Sequence, residues 1–204
     1  MDEICKIKCR CGKFQGELRN IKNGTRAICY CKDCQIYAYF LKSTDDILNE
    51  FRGTEVIAVR PQQISFKSGQ EELSCVSLTK FGSLRWFSRC CSTPICNMSR
   101  KVDTSHISII HSCLDQQDIT NAFGNKSLHV KRSSAIGTPP ENKTVYFLVS
   151  TLYYCASVVL TRLLLGHRHN PFIDPNTEMP IVAPVTLTIN ELSELMSITN
   201  DMKH

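Results

Sequence analysis

No run of lysine or arginine breaks the scattered charge of this chain, which has 204 residues and a net charge of +5. The densest basic group is the short "VKRS" at 130–133. A dedicated nucleic-acid binder carries a basic run or stripe, so no nucleic-acid partner is expected and "VKRS" reads as a solvated strand edge. The opening "MDEICKIKCRCG" is charged and lacks the apolar stretch of about 7–15 residues that marks a signal peptide. A cytoplasmic location is therefore expected. Internal repeats and low-complexity tracts are absent. Long apolar runs are scarce: "VYFLVSTLYYCASVVLTRLLLG" at 145–166 is free of charge from Val145 to Thr161, and a membrane span needs about 20 apolar residues. Ser150, Thr151, Tyr153, Tyr154, Ser157 and Thr161 interrupt it, and no second such segment follows. It reads as a buried or half-buried helix, and no membrane partner is expected. Apolar residues make up 42 % of the chain, enough for a real core.

What the chain has in excess is cysteine, with twelve. In a reducing compartment such a number points to metal or thiol chemistry rather than to disulfides. Eight fall in three tight groups: Cys9 and Cys11; Cys29, Cys31 and Cys34; Cys90, Cys91 and, close by, Cys96. Zinc takes thiolates at about 2.3 Å in tetrahedral order. A turn with two cysteines one to four residues apart presents both sulfurs to one ion, and two such turns close a site. A zinc ribbon would show two C-x-x-C pairs; here there is one, Cys31 with Cys34, beside two C-x-C pairs. The isolated Cys5, Cys75, Cys113 and Cys155 read as small buried hydrophobes. His106, His111 and His129 stand alone on strands and are not assigned to metal, and "GHRHN" at 166–170 is a weak metal motif.

Around the cysteines the pattern is mainly β. "EICKIKC", "TRAICYC", "EVIAVRP", "QISFKSG", "LSCVSLT", "SLRWFSR" and "SHISIIHSC" are of strand length, with "KSGQEE" and "KFGS" as turns. A short helix is expected after Asp33, where Ile36, Tyr37, Phe40 and Leu41 recur at helical spacing. "DQQDITNAFG" reads as a second helix closed by Gly124. A Pro-, Gly- and Ser-rich loop at 133–143 separates the β-rich part from the long apolar helix. "HRHNPFIDPNTEMPIVAPV" is an extended excursion. Thr188 and Glu191 form a capping box for a last helix with Leu192, Leu195 and Met196 on one face. The organisation expected is a zinc-binding β core over 1–132 and a helical and extended extension over 133–204 packed on the same domain.

The motifs "CRCG" at 9–12, "CYCKDC" at 29–34 and "FSRCCSTPI" at 87–95 resemble those of the glutathione-dependent formaldehyde-activating enzyme family, which includes centromere protein V. That family carries C-x-C-G, C-x-C-x-x-C and F-C-x-x-C-G-T. Over nearly the whole chain, "CYCKDCQ", "RWFSRCCSTPI" and "NPFIDP…MPIVAP" resemble an uncharacterised bacterial branch known as a domain of unknown function. The resemblance implies an α+β, mainly β fold: a β-tent of twisted antiparallel sheets with zinc knuckles, kin to methionine sulfoxide reductase B, with a few helices including one long helix in the C-terminal half. It implies a structural zinc on Cys9, Cys11 and Cys91, and a second zinc on Cys29, Cys31 and Cys34. Ser88 stands where the family has its first knuckle cysteine, and Ser92 where it has glycine. Cys90 is the obvious substitute for the missing sulfur, with Cys96 the second candidate. Neighbouring side chains in an extended strand point opposite ways, so Cys90 and Cys91 share an ion only if the chain kinks there.

A closed four-sulfur zinc is structural, whereas three protein ligands leave a position for water or substrate. Cys29, Cys31 and Cys34 are therefore the candidate catalytic residues. A small thiol such as glutathione would bind there deprotonated, as in a carbon–sulfur lyase acting on thiol adducts. Lys32 and Arg89 are the candidate contacts to its carboxylates, with Arg100 nearby. The alternative is a non-catalytic zinc-stabilised binding module with both ions saturated. Methionine sulfoxide reduction needs an arginine two residues before the cysteine; Pro94 stands there before Cys96. Trp86 reads as a core plug.

Overall fold

The computed structural model describes residues 4–100, 106–142, 148–149, 151–153, 155–156, 159–160 and 170–201. The fold is α+β and mainly β, with eleven strands in two sheets among the described residues. The smaller sheet has the order β1-β2-β5, built from β1 (Ile4–Lys8), β2 (Gln15–Arg19) and β5 (Ile64–Ser68), all antiparallel. The larger has the order β10-β3-β4-β9-β8-β7-β6-β11. Its strands are β3 (Thr25–Cys29), β4 (Thr54–Val59), β6 (Leu73–Ser77), β7 (Leu84–Ser88), β8 (Thr93–Met98), β9 (Ile107–Ile110), β10 (Leu128–Val130) and β11 (Val185–Thr186). Its six inner strands are antiparallel, but both edge strands run parallel to their neighbours: β10 to β3 and β11 to β6. This departs from the expected all-antiparallel sheets. "VKRS" begins in β10, an edge strand, as its charge suggested.

Strand alternation sorts the large sheet's side chains to two faces. Ile57 and Val59, Leu84 and Trp86, and Ile107 and Ile109 join Phe14 and Leu18 of the first third in one core. From the same strands Val56, Phe87 and Ile110 turn the other way. There they meet α1 (Lys32–Phe40) through Ile36 and Tyr37, and the last helix, α4 (Ile189–Asp201), through Leu192 and Leu195. Trp86 is fully buried, as its role of core plug requires. Phe172, from the proline-broken excursion, is also fully buried and lies against Trp86 and Phe66 with ring centroids 4.9 and 5.0 Å apart.

Local chemistry explains the helices that bear on the sites. Cys31 is the N-cap of α1, in extended conformation, and the helix stops where Lys42 takes a left-handed φ of 52°. A short α2 (Thr44–Ile47) follows. In α3 (Gln116–Phe123) the Asp115 side chain accepts from the Gln117 N–H, and Gly124 closes the other end at φ 57°. The capping box of α4 is complete: Glu191 N–H donates to Thr188 Oγ1, and Thr188 N–H donates to the Glu191 carboxylate at 2.8 Å. Of the apolar helix expected over 145–166, the described residues from 148 to 160 are helical and the remainder lies outside the described residues. Its placement as a buried or half-buried element is corrected. Leu148, Val149, Leu152, Tyr153, Val159 and Leu160 are each more than half exposed, and Cys155 is exposed too. Among the described residues no helix is long and apolar enough to cross a membrane.

Candidate metal centres

Two hairpin turns bring four sulfurs together. The β1–β2 turn carries Cys9 and Cys11. It is tightened by Cys9 N–H to Phe14 O and Gly12 N–H to Cys9 O, with Gly12 at φ 79°. The β7–β8 turn carries Cys90 and Cys91. Neither of these two cysteines lies in a strand, and Ser92 beside them has a left-handed φ of 54°. That reversal is the kink that lets adjacent sulfurs converge. Arg10 fastens the turns: its N–H donates to Thr93 Oγ1 at 2.9 Å and its guanidinium reaches Cys91 O and Asp46. Thr93 Oγ1 is 3.1 Å from Cys91 Sγ.

The sulfurs of Cys9, Cys11, Cys90 and Cys91 all lie within 4.8 Å of one another. Cys11–Cys90 is 3.1 Å, Cys9–Cys11 3.5 Å, and Cys9–Cys90 and Cys90–Cys91 are both 3.8 Å. Four sulfurs each about 2.3 Å from a tetrahedral ion stand about 3.8 Å apart, so this set fits a metal ion with little adjustment. Cys96 is excluded as the fourth ligand. It is wholly buried inside β8, paired with Trp86, while Cys90 holds the place beside Cys91. Ser88 Oγ, where the resembled family has a sulfur, is 2.8 Å from Cys90 Sγ and supports a ligand instead of being one. Burial pushes the Cys9 thiol up, but the Phe14 N–H, the Ser88 hydroxyl and the neighbouring thiols outweigh it and hold it below its usual value. Cys91 is lowered in the same way, chiefly through Thr93. Cys90 is raised, chiefly by burial, with its hydrogen bonds to the Cys11, Cys9 and Cys91 sulfurs adding to the effect.

The second cluster is local in sequence. Cys29 ends β3, Cys31 caps α1, and Cys34 sits one turn into that helix. The three sulfurs lie within 4.8 Å of one another, with Cys31–Cys34 at 3.2 Å. Among the described residues no fourth His, Cys, Asp or Glu ligand atom joins them. Hydrogen bonds from the Cys29 and Cys34 thiols, with smaller help from the Cys34 N–H and the Arg85 charge, lower Cys31 strongly. The other two rise because they serve as its donors. Three sulfurs this close favour charge on one of them, and a soft cation would favour it on all three.

Other sequence-predicted residues fall elsewhere. Lys32 Nζ donates to Thr199 O and Asn200 Oδ1, at the end of α4. Arg89 stands in the β7–β8 turn next to the four-sulfur cluster, 3.6 Å from Glu72, so its turn places it with that cluster and not with Cys29, Cys31 and Cys34. Arg100 reaches Gly82 O. His111 Nδ1 pairs with Glu55 O and His129 Nδ1 with Tyr30 Oη, and neither joins a cluster. Most of "GHRHN" lies outside the described residues. Cys5 and Cys75 are buried thiols pushed up to about 12 by desolvation, and Cys113 is raised as well. Arg85 was not among the residues singled out. Its only sequence signal is that Phe87, two positions on and so on the same face, is apolar. A cleft of about 500 Å³ opens beside the four-sulfur cluster, with Cys9, Arg10, Glu55 and His111 in its wall.

Residues 1–179 match the model of a family of unknown function, DUF6151, across both clusters and the Phe172 anchor. The chain belongs to that family. No curated protein matches the chain. A crystal structure of a Rhodobacter sphaeroides protein is similar to this DUF6151 chain at 15 % identity and a TM-score of 0.41, covering 61 % of this chain and 99 % of the other.

Proposed function

We propose that this DUF6151 protein is a zinc protein with two ions of different character. Cys9, Cys11, Cys90 and Cys91 hold a structural ion. Cys29, Cys31 and Cys34 hold one that stays open to a small thiol such as glutathione. The observation that carries this reading is the unequal ligand count of the two clusters: four sulfurs in one and three in the other, with no further protein ligand among the described residues. Zinc bound by three thiolates supplies a soft, Lewis-acidic position that takes a fourth thiol in deprotonated form.

The chain's own part is to hold the three sulfurs on a rigid strand end and helix start, and to leave the Cys29 and Cys31 side half-exposed while Cys34 is buried. The reaction proposed is carbon–sulfur bond making and breaking on thiol adducts of small aldehydes, in line with the resemblance to glutathione-dependent formaldehyde-activating enzymes. The thiol sulfur bonds to the carbonyl carbon, the C=O π pair moves to oxygen, and the thiol's proton ends there. The lyase direction is the reverse. Nothing is oxidised or reduced.

The test is metal content and thiol response. Protein purified under reducing conditions without chelator carries two zinc ions per chain. In cobalt-loaded protein, millimolar glutathione shifts the sulfur-to-cobalt absorption of the three-sulfur site alone. One ion per chain, or no response to thiol, defeats the proposal. A second reading, a zinc-stabilised binding module, is favoured by the position of the cleft beside the closed cluster. Four sulfurs on every ion in X-ray absorption of the ligand-free protein would select it.

A further inference from the structure

A buried positive charge packs against α1, the helix whose first turn carries Cys31 and Cys34. Arg85 alternates with Leu84 and Trp86 along β7, so it points away from their core and toward α1. Its side chain is 5 % exposed. The guanidinium lies over the Tyr37 ring at 5.4 Å, and Nη1 donates to Asn97 Oδ1 at 3.3 Å. Nε is buried without an acceptor. Among the described residues its carboxylate partner is Asp33, at 3.5 Å from Nη2, and that side chain is 66 % exposed. A buried cation with a long contact to a solvated partner and an empty donor is costly unless something else balances it. Asp33 sits between Cys31 and Cys34, so the cluster is the adjacent feature. A divalent ion with three thiolates carries one net negative charge.

We propose that Arg85 is the counter-charge and positioning residue of the three-sulfur site. Its guanidinium balances the anionic metal–thiolate unit on Cys29, Cys31 and Cys34 and, through Asp33 and Tyr37, holds the first turns of α1 in place. The proposal rests on the metal reading of that cluster.

Arg85→Met, Arg85→Lys and Arg85→Gln are compared with the parent protein by chelator competition for cobalt, reading the two sites by their separate sulfur-to-cobalt bands. Arg85→Met loosens the ion at the three-sulfur site by about 10–100-fold and leaves the four-sulfur site unchanged. Arg85→Lys restores most of the loss. At saturating cobalt, Arg85→Met still shifts the three-sulfur band, which a purely packing role would not do. Arg85→Gln, which keeps much of the contact with Tyr37, stands in if the Met variant does not fold. Parent-like affinity at both sites in the neutral variants overturns the proposal. So does an equal loss at both sites with a lowered melting temperature, the mark of a merely structural residue. A parent protein with an ion only at the four-sulfur cluster defeats the metal reading of the Cys29 set, and this inference with it. Two ions in the parent with no effect of Arg85 defeats the inference alone.

Discussion

Ser92 pays a conformational penalty for the four-sulfur cluster. A non-glycine residue at a φ of 54° is held about 1–2 kcal/mol above its preferred region, and the resembled family has glycine there. Ser92→Gly should therefore raise the stability of the metal-loaded protein by about 0.5–1 kcal/mol, the gain being reduced by the greater freedom of glycine in the unfolded chain. Thermal unfolding measures it, and an unchanged or lower midpoint would show that the turn is not strained. Two cysteines six residues apart should behave oppositely. Cys90→Ala removes a ligand, so metal analysis should find the four-sulfur ion lost. Cys96→Ala empties a buried position that belongs to neither cluster, so both ions stay and stability falls by about 1 kcal/mol. Residue spacing alone left both cysteines open as the fourth ligand. The answer depended on whether position 90 or position 96 lay in a strand, a question of β7–β8 register.

At the scale of elements, histidines just before β9 and within β10 sit where burial disfavours their charged form. Burial, with the Arg60 charge, takes His106, just before β9, down to about 4, and burial with Arg132 lowers His129 in β10. In the unfolded chain both titrate near 6.5. Between that value and the folded one the unfolded state binds more protons, so stability is complete above about pH 6.5 and falls as the pH drops toward 4. His106→Asn should flatten that slope in denaturant titrations run from pH 7 to 4; an equal slope in the variant would contradict it. The strands with plain apolar alternation, such as β4, β7 and β9, and both capped helices were legible in the sequence, because there local pattern and final environment agree. β8 was not, because Pro94 and two cysteines obscured it. The strand tolerates the proline at a break in register beside Trp86 and Phe87. The edge strands β10 and β11 are short and exist only through their neighbours. The grouping of the cysteines into candidate ligand sets was legible, Cys96 apart, but Arg85 was not. Strand parity says which way a side chain points, and only the packing of α1 decides whether water is there.

For the whole molecule the two clusters differ in what they join. The four-sulfur set ties the β1–β2 turn of the small sheet to the β7–β8 turn of the large one, whereas the three-sulfur set lies within a single β3–α1 segment. Chelation should therefore proceed in two phases. The ion at Cys29, Cys31 and Cys34 leaves first with little change in melting temperature. The ion at Cys9, Cys11, Cys90 and Cys91 leaves later, and the cooperative transition is lost with it. Simultaneous loss of both, followed by metal analysis and circular dichroism, would count against this division. The bond from Lys32 to Thr199 O spans 167 positions of sequence, and it begins inside the knuckle. Whatever loosens residues 29–34 also weakens one of the ties on the final helix, which Leu192 and Leu195 otherwise anchor. Limited proteolysis within that helix thus becomes a remote gauge of what the knuckle holds: slow in loaded protein, quicker once its cation is withdrawn.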